Sequence, residues 1–407
     1  MGFFSRTPKA PLPNVSGPLS QVLRERGYVY QHSAPLEEIT DGPKRTLYLG
    51  VDPTADSMHV GQLQGILVLR RFLEHGHKLI IVVGAGTGMV GDPGGKSAER
   101  NLLSDEVVDG NASALKKQFE RLFGGMQFKM VNNADWLRSL NYMEFLRDIG
   151  KHFTVNEMIK RDSVRPRLET PDASISYTEF SYMLLQAYDY LHLHGKYSCD
   201  LQVGGSDQWG NIVSGVDLIR KKTGDTAYAL SWPLLTTRDG KKFGKSEGNA
   251  VWLDPKKTTP FQFYQFWINT NDDEAEKYLL KMTLLPKAEI EKTMEEQRQD
   301  PATRAAQKKL AFEVTALVHG IGEAEKARDA ARALFSGDAS AAAANMSAVP
   351  GGRLRDIVSD MSVSELRRLV AQGAVSSVTT GAKIENVETE IHGDTIRIGK
   401  NRFIKVE

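Results

Sequence analysis

With a single cysteine in 407 residues, Cys199, the chain has too few for an internal disulfide or a cysteine-based zinc site. Its expected place is a small, buried, apolar position in a reducing compartment. An excess of one charge sign is missing too: 52 Lys and Arg against 51 Asp and Glu leave a formal net charge of +1. Any nucleic-acid surface must therefore be local. No apolar run approaches the ~20 residues of a membrane span. The start, Met1-Gly2-Phe3-Phe4-Ser5-Arg6, lacks the long apolar stretch of a signal peptide and has Arg6 where a myristoylation signal needs Ser or Thr. These absences predict a cytoplasmic protein with no membrane partner. What is present is ordinary globular composition, 41% hydrophobic and 25% charged, over a length that suits two to four domains.

Residues 1–18, punctuated by Pro8, Pro11, Pro13 and Pro18, read as a tail. From Arg45 to about Asp254, short apolar runs alternate with amphipathic stretches. Arg45–Val51 and Lys78–Val83 read as buried strands. Between them, Val60–Glu74 has helical periodicity through Leu63, Ile66, Leu67 and Leu73. Strand, helix, strand is a βαβ unit, so a parallel α/β sheet follows. Residues 105 to about 165 read as mostly helical, and Glu274–Ala333 as helical and highly charged. Ser336–Pro350 reads as a linker, followed by a helix at Ser362–Gly373 and hairpin-like strands at Ile384–Glu390 and Thr395–Lys405.

Two segments point to phosphate chemistry. In Asp52–Gln62 the Asp-Pro pair ends a strand and Ser57 is a candidate cap for the next helix. A free helix start favours an anion, His59 can donate to a phosphate oxygen, and Gly61 lets a flat base approach the backbone. In Lys242-Phe243-Gly244-Lys245-Ser246, two lysines and a hydroxyl surround a glycine as a cation clamp. Two look-alikes fail. Gly86-Thr87-Gly88-Met89-Val90-Gly91 matches a dinucleotide fingerprint, but Asp92-Pro93-Gly94-Gly95 cannot continue the helix that fingerprint requires; it reads as a glycine-rich active-site loop. Gly240–Ser246 has three residues between its glycines where a Walker loop needs four.

Ser176-Tyr177-Thr178-Glu179 is a capping box opening a helix over Phe180–His192. Tyr182, Gln186 and Asp189 share one face of it, amid Met183, Leu184, Leu185, Ala187 and Leu191. Such a polar stripe is either a solvated face or a pocket whose groups find partners. Gln202–Asn211 is a strand end, two glycines and a polar cluster, at the carboxyl end where α/β sheets bind ligands. Asp207 is well placed there for a ribose hydroxyl.

Together, Tyr48–Gly61, Gly205-Ser-Asp-Gln-Trp-Gly-Asn211 and Lys242–Ser246 resemble the bacterial-type tyrosyl-tRNA synthetases, within the class I aminoacyl-tRNA synthetases, over roughly residues 20–407. The resemblance implies an α/β fold: a Rossmann-type parallel-sheet catalytic domain over 19–258, with a helical dimerisation insertion at about 115–200. A helical anticodon-region domain (259–335), the linker (336–350) and a small α+β RNA-binding module (351–407) would follow. It implies a homodimer that converts tyrosine and ATP to tyrosyl-adenylate and pyrophosphate, then esterifies the terminal ribose of tRNA(Tyr). Mg²⁺ would be held through the phosphates, with no metal ligands of the chain's own.

By the same resemblance, Tyr48 and Asp189 would bond the substrate phenol, and Asp92, Tyr182 and Gln186 its α-amino group. Gln208 would lie near the carboxylate and reacting phosphate. Gly50, Asp52, Gly61, Gln62, Gly205 and Asp207 would line ATP, and Thr54 and His59 would meet its γ-phosphate. Lys96, Arg100, Lys242, Lys245 and Ser246 would surround the leaving pyrophosphate. The chain departs from the family pattern at Gln62, where histidine is usual, at Leu49 and Gly65, which remove possible ribose contacts, and at Lys96-Ser97, where two lysines are frequent. From Gly351 onward nine Lys/Arg face eight Asp/Glu, so RNA contact would rest on Arg367, Arg368, Arg397, Lys400 and Arg402. A tryptophan-specific relative is disfavoured by Tyr48 with Asp189. A non-catalytic RNA-binding descendant is disfavoured by His59, Lys242 and Lys245 all standing.

Overall fold

The computed structural model describes residues 17–92, 103–161, 164–170, 174–236, 245–246, 249–335, 346, 348–358, 361–399 and 402–407. One sheet carries six strands: Gln31–His32 (β1), Thr46–Val51 (β2), Lys78–Val83 (β3), Lys129–Asn132 (β4), Cys199–Gly205 (β5) and Tyr228–Trp232 (β6). Their order is β1-β6-β5-β2-β3-β4, parallel except for β1. The five aliphatic residues after Lys78 in β3 are all buried, as an interior parallel strand demands. Strand order reverses between β2 and β5, so the crevice at their carboxyl ends, by Gly50 and Gly205, is the favoured place for a ligand.

Two compact units divide the chain, one from residues up to Asp56 and Val68–Leu234, the other from Ser57–Leu67 and Leu235–Glu407. The helix Val60–Glu74 (α1) contributes to both, and its bounds match the sequence periodicity. A one-turn helix, Ala85–Gly88 (α2), follows β3 and stops short of Gly91, which takes a φ of +83°. The dinucleotide fingerprint accordingly lacks its helix, as expected.

Two readings of the first unit are corrected. The region 105–165 holds β4 as well as helices; four residues at a sheet edge, one exposed and three half-exposed, give too short and polar a pattern to stand out. The helix opened by the Ser176–Glu179 capping box runs over Tyr177–Tyr197 (α3), longer than Phe180–His192, and ends at Ser198 in the left-handed region. It lies beside Trp209–Thr223 (α4).

In the second unit, Thr259 and Gln262 form a capping box at the start of Pro260–Ile268 (α5). Asp272–Met282, Lys287–Gln299, Ala305–His319 and Ile321–Phe335 complete the helical part, with Trp267 fully buried. The C-terminal part packs Ile396, Ile398, Ile404, Val406 and Leu366 into its own core. Its helix, Val363–Ala371 (α6), is capped by Ser362. Ala348–Val349, inside the stretch read as a linker, pairs in parallel with Arg402–Val406. Of Ile384–Glu390 only the last residue lies in a strand, Glu390–Ile391 pairing antiparallel with Gly352–Arg353, because the Asn386 carboxamide accepts the Glu388 N–H and turns the chain before it. Thr395–Ile398 and Arg402–Val406 are instead the two arms of one hairpin, with Gly399 at φ +64°. Among the described residues no helix is long and apolar enough to cross a membrane.

Candidate active site

At the centre of the first unit lies Asp189, on α3 and almost fully buried. Asn133 donates Nδ2 to one carboxylate oxygen at 2.9 Å, and Trp136 donates Nε1 to the other at 2.7 Å. Burial pushes its pKa up to about 7, against the pull of those two donors. The Trp136 ring is stacked on His192 at 4.4 Å. The Tyr48 hydroxyl, on β2, is buried with no hydrogen-bond partner among the described residues. Burial first, and then the nearby Asp189 carboxylate, raise its pKa well above the phenol range. A buried orphan hydroxyl beside a pinned carboxylate is costly unless a ligand supplies the missing partner.

One turn earlier on α3 Gln186 is half-buried, and two turns earlier Tyr182 is buried, on the same face. The carboxylates of Asp52, Asp92 and Asp189 help raise the Tyr182 pKa, although burial dominates the rise. Gln208 donates Nε2 to Asp92 at 2.7 Å and accepts from Asn211 at 3.4 Å. Asn133 and Trp136 were not found from the sequence. The signal was β4: once Lys129–Asn132 is a strand, Asn133 stands at its carboxyl end, where ligands bind.

The two glycines on the nucleotide side of this unit differ in the room they leave. A Cβ on Gly50 would meet nothing within 4 Å, whereas one on Gly205 would lie 2.6 Å from Asp207 Oδ1. Asp52 and Thr54 line a pocket with Gly84, Ala85, Gly88 and Met89.

In the second unit, the cap of α1 is His59, a correction to the expectation for Ser57. The Ser57 hydroxyl is buried, donating to Met58 O and accepting from Asp254 N. His59 Nδ1 accepts the Gly61 N–H at 3.1 Å, and Gln62 Oε1 reaches back to the His59 N–H at 3.1 Å. Histidine thus caps the helix through the second N–H while Gln62 at the third position reaches back to it. His59 also bridges Trp252, the Val60 N–H bonding Val251 O at 2.9 Å. Lys245–Ser246 pairs with Asn249–Ala250 as a short antiparallel ladder. Lys96, Arg100, Lys242 and Lys400 lie outside the described residues.

Of the basic residues in the C-terminal part, Arg367, Arg368 and Arg397 are exposed. Arg397 and Arg402 do not form one patch. Strand alternation places Arg397 opposite Phe403, while Arg402 shares the side of the buried Ile404 and Val406. Burial lowers the Arg402 pKa to about 10.

Residues 41–336 match the family described as tRNA synthetases class I (W and Y). A protein of Caldanaerobacter subterraneus subsp. tengcongensis named Tyrosine--tRNA ligase is 44% identical over 394 residues, covering 93% of this chain and 94% of its own. One of Roseiflexus castenholzii with the same name is 50% identical over 319 residues, 77% of this chain and 75% of its own. Among solved structures, a C-terminally truncated mitochondrial tyrosyl-tRNA synthetase of Aspergillus nidulans superposes with a TM-score of 0.69 at 34% identity, covering 78% of this chain and 94% of that one. The family match spans well over half of the chain, and its Rossmann-like parallel sheet agrees with it. The chain belongs to the class I tRNA synthetases of the tryptophan and tyrosine branch.

Proposed function

We propose that the chain is a tyrosine–tRNA ligase, activating tyrosine with ATP and transferring it to tRNA(Tyr). The observation that carries this reading is the buried pair of Tyr48, its hydroxyl without a partner among the described residues, and Asp189, its two oxygens fixed by Asn133 and Trp136. A substrate phenol suits both: it donates to Asp189, which has lone pairs to spare, and accepts from Tyr48. An amino acid lacking that hydroxyl leaves both groups unsatisfied in a dry site, which is how the pocket would reject phenylalanine.

Asp92, Tyr182 and Gln186 offer acceptors for the ammonium group, and Gln208, held by Asp92, is positioned for the carboxylate. The first step needs no general base, because that carboxylate is already ionised. It attacks the α-phosphorus of ATP and pyrophosphate leaves. The chain's task is then orientation and stabilisation of charge developing on the phosphates. For that task we assign Thr54, His59, Lys96, Arg100, Lys242, Lys245 and Ser246, with Gly50, Asp52, Gly61, Gln62, Gly205 and Asp207 toward the nucleoside. Among the described residues no cluster of three His, Cys, Asp or Glu could hold a metal. Mg²⁺ arriving on ATP needs few protein ligands, since phosphate oxygens and waters complete its shell.

A homodimer is supported by exposed Tyr142, Met143, Val155, Leu168 and Tyr177 within the 115–200 insertion. Exposed Arg367, Arg368 and Arg397 support tRNA contact by the C-terminal module, and the composition suits the cytoplasm. The test is ATP–pyrophosphate exchange with each amino acid offered separately. Exchange with tyrosine is expected; exchange with tryptophan and not tyrosine would overturn the reading.

A further inference from the structure

Between the end of β2 at Val51 and the start of α1 at Val60, the chain belongs to no helix or named strand. This stretch carries Thr54, assigned above to the phosphates, and its shape there turns on one peptide group. The Thr54 N–H bonds the Asp52 carbonyl at 2.9 Å, closing a three-residue γ-turn around Pro53. Pro53 is buried, so its own carbonyl needs a partner. Asn111 supplies one, donating Nδ2 to Pro53 O at 2.8 Å across 58 residues. A carbonyl can only accept, so this contact sets the orientation of the Asn111 amide.

Because a peptide group is planar, holding Pro53 O and the Thr54 N–H fixes the whole plane between them, the Thr54 Cα included. One edge is tied within the loop and the other to the helix Asp105–Leu122. That helix is a firm base: Leu115, Phe119 and Leu122 are buried, and Arg70 on α1 donates Nη1 to Leu122 O at 2.6 Å. Its first turn brings Asp105 and Val108 into the wall of the pocket that Asp52, Pro53 and Thr54 also line. Asn111 follows Val108 by three residues and acts on the backbone of the loop.

We propose that Asn111 is a positioning residue for the ATP side of the reaction, orienting Thr54 toward the phosphates through the Pro53–Thr54 peptide, a role resting on the tyrosine–tRNA ligase reading above. Thr54 is exposed, and a turn closed by a single bond holds its direction weakly. The tether from the helix removes that freedom before ATP arrives, which is what orientation at a reacting centre requires.

The experiment is tyrosine-dependent ATP–pyrophosphate exchange on the full chain, for the unmodified protein, Asn111→Leu, Thr54→Ala and the double variant. Rates are normalised to active sites by the burst of adenylate formation, so a misfolded fraction does not count. Leucine keeps the branched shape of asparagine and removes the donor. Asn111→Leu is expected to lower kcat/KM for ATP about tenfold, while the tyrosine KM stays within about twofold. In the double variant the loss should be no greater than in Thr54→Ala alone, because the tether then has no hydroxyl to orient. An unchanged kcat/KM for ATP in Asn111→Leu would overturn the role, as would an equal loss toward tyrosine. Losses that multiply in the double variant would also overturn it, since Asn111 would then act apart from Thr54. Failure of the function reading looks different, since the unmodified chain itself would then show no exchange with tyrosine.

Discussion

The polar groups around Asp189 and those around His59 are held in opposite ways. At Asp189, side chain pins side chain across long sequence distances: Asn133 lies 56 residues away and Trp136 53. At the start of α1, the bonds that cap the helix are local: His59 Nδ1 takes the N–H two residues on, and Gln62 returns to the His59 N–H three residues back. The first arrangement is dry and has fixed directions before any substrate arrives, the condition for discriminating one hydroxyl. The second secures a helix start, leaving the histidine half-exposed. A disturbance of the first should therefore be read in amino-acid recognition, and of the second mostly in stability.

The largest break in this contrast is expected from Asp189→Ala. It strands the Asn133 and Trp136 donors in a buried site, a loss of roughly 3–5 kcal/mol for removing one member of a buried charged network. Steady-state exchange should show kcat/KM for tyrosine falling about 10²–10³-fold, with the preference over phenylalanine collapsing and the ATP KM little changed. An equal loss toward ATP would show that the pocket is not separate in function from the phosphate side.

Next in size is a pH effect with two opposite signs. The pKa of Asp189 is about 7 in the folded chain against an ordinary 3.8. Between those values the native state holds the extra proton, so this group's contribution to stability falls as pH rises and is gone above about 7. Phenol recognition runs the other way, because the accepting carboxylate forms only as pH passes 7. We expect kcat/KM for tyrosine to rise by up to tenfold per unit below pH 7 and level off above it. Denaturant titrations across pH 5–8 should show stability declining over the same window, with a flatter slope in Asp189→Asn. Parallel rather than opposed slopes would remove Asp189 from the phenol.

The same contrast explains what could be read from the sequence. The helix over Val60–Glu74, the strand Lys78–Val83 and the box at Ser176–Glu179 are written in spacings of two to four residues, and they stand as expected. Tyr182, Gln186 and Asp189 could be grouped because one helix carries them. Asn133 and Trp136 could not, because their partnership depends on β4 docking beside β3, and an edge strand of four residues leaves little periodicity. That Arg397 and Arg402 face different sides could not be read either, because adjacency along a hairpin says nothing about face until the register is known. The cap at Ser57 failed because its hydroxyl is engaged by Asp254, 197 residues away.

The smallest expected effect sharpens the other side of the comparison. Gln62 stands where the family resemblance expects histidine, and its side-chain oxygen accepts the His59 backbone N–H. It is exposed, so truncation to alanine creates no cavity and removes one reciprocal capping bond. The loss should be about 1 kcal/mol of stability, as for other cap deletions. Gln62→Glu, which keeps an oxygen acceptor and adds negative charge near the helix start, should retain that stability. Urea unfolding of the two variants measures the difference directly. Exchange kinetics supply the discriminating control: because the amide acts on the backbone, Gln62→Ala should leave kcat and the tyrosine KM within about twofold. A kcat loss as large as that of Asp189→Ala, with stability intact, would instead make Gln62 a direct participant in adenylate formation.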